Sequence, residues 1–316
     1  MRAKPATSAA GRVFGASVAL GALGLAWALF VLTRLLVAWQ ITAPSAAHEL
    51  SLLGARFTYP SANVAAVVLS LLAALGLLVM VAAARGLARE LLVDRRLRRG
   101  LASGCVERAH GASVLAEERP QAFCAGLLRP AIYITSGALS LLDASELDAV
   151  LAHERHHARR RDPLRLACAR VLAGALFFLP ALRALIERQC ALAEIEADQA
   201  AVRAAAGDRS PLAGAMLRFS GPSELGAVGL DPQRVDHLLG EGPMPRFPLA
   251  LCAWTALVLV GLVALAVVVA HLAAGTATLG VPLLSSAPCI TVLALIPLGA
   301  LALAVVWARA GHRQVS

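Results

Sequence analysis

His153, Glu154 and His157 spell H-E-x-x-H within the stretch 151–163. On a helix, positions i and i+4 share a face one turn apart, so His153 and His157 can aim both imidazoles at one ion. Zinc accepts neutral imidazole nitrogens and keeps a position open for water when it is catalytic. Glu154 follows the first histidine directly, where its carboxylate can reach such a water and take its proton. The competing reading is an accidental match on an Arg- and His-rich solvated helix, in a chain with 8 histidines.

Two histidines leave a catalytic zinc one protein ligand short of a His2Glu set. Downstream, the alanine-rich stretch 184–206 carries A-E-I-E-A-D at 193–198. Glu194 is the candidate third ligand, with Glu187 as a weaker alternative. Asp198 lies at i+4 from Glu194, on the same face, and can hydrogen-bond a ligand histidine from outside the coordination sphere. Glu196 is displaced by two residues and reads as a solvated charge on the far side. His156 faces away from the metal side and reads as a surface histidine.

These residues need helices to position them. S-E-L-D at 145–148 reads as a capping box opening a helix over 146–161, with Leu147, Val150 and Leu151 as its buried stripe. Asp162-Pro163 then reads as an N-cap followed by Pro at the first helical position. The helix it opens carries a short apolar run, 171–182, and ends near Arg183. Short runs at 112–116, 122–125 and 132–135, broken by Gly and Pro, read as strands. The last of them comes shortly before the motif helix. An exposed strand edge beside the metal can pair with extended substrate; equally, the sheet can merely cover the helix.

The 316-residue chain is 59% hydrophobic with a mean hydropathy of +0.71, well above a soluble domain. The excess sits in blocks near the roughly 20 residues that a membrane-spanning helix needs. Four are predicted, over 13–33, 64–84, 247–270 and 290–308. The first is too long for the apolar core of a signal peptide and reads as a retained anchor. The run at 171–182 is too short to cross and reads as a buried or interfacial helix. That fits the metal hypothesis, because Glu194 can join His153 and His157 only if the 163–183 helix returns to the same side.

Arginines mark the sides. Arg2, Lys4 and Arg12 precede the first block, and Arg85, Arg89, Arg95, Arg96, Arg98 and Arg99 follow the second. Arg234 and Arg246 precede the third, and Arg309 and Arg313 follow the fourth. The loop 40–60 holds only Arg56, and 272–288 holds no charge. Both termini and the middle segment are therefore predicted to be cytoplasmic, with Arg34 the one discordant residue. The stretch 85–99 reads as a continuation of the second helix beyond the bilayer. The net charge of +9 reflects this topology and attraction to anionic lipid, with no pattern for direct nucleic-acid binding. The 6 cysteines include no C-x-x-C pair and read as scattered buried thiols of a reducing compartment. Cys190, one turn before Glu194, is conceivable as an inhibitory thiol.

The stretch 122–202 resembles the membrane metallopeptidases of the BlaR/MecR antirepressor family. The carriers are A-F-C-A-G-L-L-R-P at 122–130, D-A-V-L-A-H-E-R-H-H at 148–157, Arg161-Asp162, F-L-P at 178–180 and E-I-E-A-D at 194–198. Gln199 stands where that family usually has Arg, and Leu179 where Asn is common. No S-x-x-K or K-T-G of a penicillin-binding sensor is present, the only lysine being Lys4. HtpX-type quality-control peptidases share H-E-x-x-H and E-x-x-A-D and form the alternative.

The resemblance implies a mostly α, multi-pass membrane protein with four transmembrane helices and an inserted α+β gluzincin-type zinc peptidase domain. The expected division is 1–85, a two-helix membrane unit; 86–245, the cytoplasmic peptidase domain; and 246–316, a second two-helix unit. Zn2+ is the expected cofactor, and a bacterial inner membrane the expected location. The expected activity is cleavage of a protein substrate, such as a winged-helix repressor or the protease itself, with a homo-oligomer also conceivable. A non-catalytic signalling or scaffold protein with a structural zinc site is the reading from another class.

Overall fold

The computed structural model describes residues 8–38, 48–52, 55–59, 64–219 and 247–276. Three described helices are long and apolar enough to cross a membrane: Ala9–Arg34, Val67–Gly104 and Leu249–Leu272. They lie within α1 (Ala9–Ala38), α2 (Val64–Gly104) and α8 (Leu249–Thr276). The fourth predicted span, 290–308, lies outside the described residues. α2 runs unbroken for 41 residues, about 60 Å at 1.5 Å per residue, so 85–99 does extend the second span as one helix.

Packing divides the chain into two units. One comprises Met1–Leu29 and Gly76–Leu262, the other Phe30–Leu75 and Val263–Ser316. The second unit holds an antiparallel hairpin of β1 (His48–Leu52) and β2 (Ala55–Tyr59), in a loop where the sequence suggested no strand.

The first unit holds a four-stranded sheet of β3 (Cys105–Ala109), β4 (Ala112–Leu115), β5 (Ala122–Ala125) and β6 (Ala131–Thr135). The order is β3-β4-β6-β5, with β4 and β6 parallel and the other pairs antiparallel. The three predicted strands are present. β3 escaped the sequence reading because its pattern is mostly exposed and offers no apolar alternation. One sheet face, through Ala112, Val114, Ile132 and Ile134, packs on Leu147, Val150 and Leu151 of α4 (Ala144–Arg160). Fully burying a side chain such as Ile134 or Leu151 contributes about 2 kcal/mol, and this seam fixes the motif helix. Between sheet and α4 lies the short α3 (Ser136–Leu141), capped by the Thr135 hydroxyl.

α4 starts two residues earlier than the sequence suggested. Its N-cap is Asp143, whose carboxylate accepts from the Ser145 and Glu146 N–H groups, while Glu146 accepts from the Asp143 N–H. The capping box is therefore Asp143/Glu146 rather than S-E-L-D at 145–148. Glu146 also accepts from Arg218 Nε at 2.9 Å, on α7 (Ser210–Phe219), a helix the sequence reading did not assign.

α4 ends where Arg161 turns left-handed, φ 55° and ψ 44°. α5 (Asp162–Ala175) follows at once, with Pro163 in its first turn. Asp162 is thus the first residue of α5 rather than its N-cap. The helix expected to run to Arg183 is really two. It stops at Ala175, turns through buried Leu176 and Leu179, and restarts as α6 (Pro180–Ala204) with Pro180 at its start. Proline cannot donate an N–H but is suited to the first turn, so Pro180 opens a helix instead of kinking one. At 14 residues, about 21 Å, α5 is too short to span a bilayer, and α6 returns alongside α4 and α5.

Candidate metal centre

α4 and α6 bring three groups to one point. His153 Nε2 and His157 Nε2 lie 3.1 Å apart. The Glu194 carboxylate lies 3.5 Å from each of them. One ligand atom from each residue falls within 4.8 Å of the others, the one such group among the described residues. Glu187 is exposed and outside it.

Behind each histidine stands a buried carboxylate. Asp198 Oδ1 is 2.9 Å from His153 Nδ1, and Asp162 Oδ2 is 2.9 Å from His157 Nδ1. A carboxylate accepts, so His157 Nδ1 donates to Asp162, and the Asp198 carboxylate, in ion-pair contact, favours the hydrogen on His153 Nδ1 as well; each Nε2 then turns a lone pair toward the other and toward Glu194. That arrangement repels itself unless a cation lies among the three. A tetrahedral zinc with Zn–N of about 2.0–2.1 Å holds its ligand nitrogens about 3.3 Å apart, close to the separations here. The donor set fits zinc.

Asp162, read from the sequence as an N-cap and as part of the Arg161-Asp162 match, stands here against a candidate ligand, a role the sequence reading did not give it. Its signal was present: an acidic residue five positions after His157, at the point where the chain turns from α4 into α5. Two other expectations need correction. Glu196 is not solvated: its side chain is 14% exposed and contacts Arg160 and the start of α1. His156 is half-buried rather than superficial, with burial and the nearby Arg160 and His157 charges pulling its pKa down.

Glu154 opens onto the same cavity as the three grouped residues, a space of about 680 Å³. One wall is β5, through Phe123 and Cys124; another is α2, through Glu90 and Asp94. Among the described residues, the sheet order makes β5, not the strand nearest the motif helix in sequence, the edge strand beside the site. Asp94 accepts from the Leu127 N–H at 3.0 Å, tying the end of β5 to α2. Two cavity cysteines are held as thiols in the metal-free protein. Cys124 is pushed up to about 12, mainly by burial and then by the Glu154 and Asp162 charges. Cys190 is also raised, by burial and then by Glu194, which argues against an inhibitory thiolate.

Residues 87–196 match the family model of Peptidase family M48. This match supports a zinc metalloprotease, and the candidate ligands His153, His157 and Glu194 lie inside the matched segment. Relatives agree over the same short span. The chain is 53% identical over 49 residues to "Protease HtpX homolog" of Acaryochloris marina, covering 16% of this chain and 17% of that one. It is 42% identical over 65 residues to the HtpX homolog of Acidiphilium cryptum, covering 20% and 23%. For that of Aquifex aeolicus it is 44% over 64 residues, covering 20% and 21%. The similarity thus spans about a fifth of each relative. These relatives are HtpX homologs, not BlaR/MecR-type antirepressor peptidases, so they favour the alternative named from the sequence.

Without metal, the three-residue site has a defined pH behaviour. Burial pulls the His153 pKa down, but the Asp198 and Glu194 carboxylates outweigh it and raise it from 6.5 to about 9. Protonated His153 then supplies the missing cation. Because the folded pKa is raised, this contribution to stability is complete below pH 6.5 and is lost as pH rises through about 9. Zinc must displace that proton. Zinc affinity should rise about tenfold per pH unit from pH 7 to about 9, with about one proton released per zinc. Competitive titration in a weakly buffered indicator dye measures both, and an affinity flat across that range would contradict the assignment.

Proposed function

We propose that the protein is an integral-membrane zinc endopeptidase of the HtpX-like kind, acting on protein segments that reach its cavity from the cytoplasmic side. The observation that carries this reading is the convergence of His153, His157 and Glu194 beside Glu154 in a cavity bordered by an edge strand of the described sheet. His153, His157 and Glu194 would hold the zinc, and Asp198 and Asp162 keep the two imidazoles in the metal-binding tautomer. Zinc held there would supply Lewis-acid polarisation of the scissile carbonyl and acidify the attacking water. Glu154 accepts the proton of the attacking water and delivers it to the leaving amine. As an edge strand of the described sheet, β5 could register with an extended substrate, while the cavity shape selects side chains.

Inner-membrane insertion with cytoplasmic termini follows from the arginine distribution. Membrane-protein substrates are favoured over a winged-helix repressor because the relatives are HtpX homologs and the cavity wall α2 is the continuation of a membrane helix. The test compares the proteomes of cells carrying wild-type or Glu154→Gln protein. Accumulation of membrane proteins and loss of their fragments in the variant is the expected result. Stabilisation of one soluble repressor, with membrane proteins unchanged, would reverse the assignment in favour of regulatory proteolysis.

A further inference from the structure

The start of the first membrane helix is bonded into the ligand helices. Glu196 sits on α6 between Glu194 and Asp198. One of its carboxylate oxygens accepts from the Ala10 N–H at 2.9 Å, in the first turn of α1, and the other contacts the Arg160 guanidinium. Arg160 donates to Ser8 Oγ at 2.6 Å, and the same Oγ accepts from the Gly11 N–H at 3.1 Å. On its other side, Arg160 Nε lies 3.7 Å from Asp162 Oδ1, while Asp162 Oδ2 holds His157 Nδ1 at 2.9 Å. A path of polar contacts therefore runs from the N-terminus of α1 through Glu196, Arg160 and Asp162 to a candidate ligand, its Arg160–Asp162 step being an ion-pair contact rather than a hydrogen bond. The Arg160 and Glu196 side chains are 16% and 14% exposed, so solvent screens this path far less than a surface pair.

Packing holds α1 in the same place. A Cβ on Gly21 would lie 2.6 Å from Leu172, and one on Gly24 2.7 Å from Leu176, so these glycines let α1 press against the chain of α5 and the turn after it. Ala10 and Val13 pack with Leu185 and Leu192 of α6. A carboxylate at a helix N-terminus and an arginine at a helix C-terminus are each favourable alone. Neither effect requires one guanidinium to be shared between Glu196 and the carboxylate that orients His157.

We infer that α1 is part of the metal centre's support, with Arg160 and Glu196 as positioning residues. Glu196 and Ser8 fix the Arg160 guanidinium, Arg160 fixes Asp162, and Asp162 fixes the His157 ring. The inference rests on the zinc-peptidase reading but reaches beyond the matched segment 87–196, because α1 lies outside it.

The test uses the full-length protein in detergent micelles, with Arg160→Gln, Glu196→Gln and Arg160→Lys. Zinc release to a chelator, the visible spectrum of the cobalt-substituted protein and the melting temperature are measured together. Arg160→Gln is expected to release zinc about tenfold faster and to shift the cobalt bands, in the range seen when a group supporting a ligand is removed. Glu196→Gln, nearly isosteric, should move both in the same direction by less. Arg160→Lys should restore part of the effect, since it keeps the charge but loses the planar fork. Variants that melt lower while zinc release and cobalt spectrum match wild type would overturn the inference, leaving the contacts a structural pin. If Arg160→Gln does not fold, Glu196→Gln decides alone by the same two readouts. A wild-type protein that takes up no zinc would overturn the underlying peptidase reading, whereas one that binds zinc beside unaffected variants would overturn only this inference.

Discussion

Glu154→Gln should lower proteolysis by about 10²–10⁴-fold, the usual contribution of a positioned general base, while zinc content stays at wild-type level. Glutamine keeps the size and hydrogen-bonding reach of the side chain but cannot take a proton from water at neutral pH. The substitution leaves His153, His157 and Glu194 untouched, so binding and chemistry separate cleanly. The measurement is cleavage of a casein-type or membrane-protein substrate by purified protein, with metal content determined on the same sample. Unimpaired cleavage by Glu154→Gln would sink the mechanism. The non-catalytic scaffold reading makes the opposite forecast, with no cleavage by wild type and unfolding when the metal is stripped.

Glu194→Ala should abolish activity by a different route. Removing one of three protein ligands is more damaging than removing a group that merely supports a ligand, which itself costs about 10- to 100-fold in affinity. Zinc affinity should therefore fall by more than about 100-fold, and purified protein should emerge nearly metal-free. Its fold should survive, because the packing of α4 on the sheet through Leu147, Val150 and Leu151 does not involve Glu194. Zinc analysis combined with the far-UV circular dichroism spectrum checks both halves. A Glu194→Ala protein that retained zinc and cleaved substrate would transfer the third-ligand role to another residue.

The chemistry was more legible in the sequence than the geometry around it. H-E-x-x-H and E-x-x-x-D report their spacing directly, because helical periodicity converts i and i+4 into one face. The structure brings three of the nominated residues, His153, His157 and Glu194, within one 4.8 Å group. The role of Asp162 was hidden because it depends on the left-handed Arg161, a tertiary detail that composition does not encode. Glu196 was misread for a related reason. Helical periodicity correctly sends it away from the metal, but what lies on that side is the start of α1, not water. The break at 176–179 was visible only as Pro180, which can either kink a helix or open one; the buried Leu176 and Leu179 decide for a turn. β3 and the β1–β2 hairpin were illegible because strands without a buried alternating face carry little periodic signal.

The division of the ligand set between α4 and α6 also orders events during synthesis. His153 and His157 leave the ribosome first, and Glu194 follows only after the whole of α5 and the turn at 176–179 have been translated. At about 5–20 residues per second, that interval lasts seconds. During it, a nascent chain holds His153, Glu154 and His157 but not Glu194, the third candidate ligand. A hydrolytic centre cannot switch on beside the translating ribosome until α6 has folded back against α4. On the proposed reading, the turn between α5 and α6 would act as a timer, withholding activity from the partly made protein.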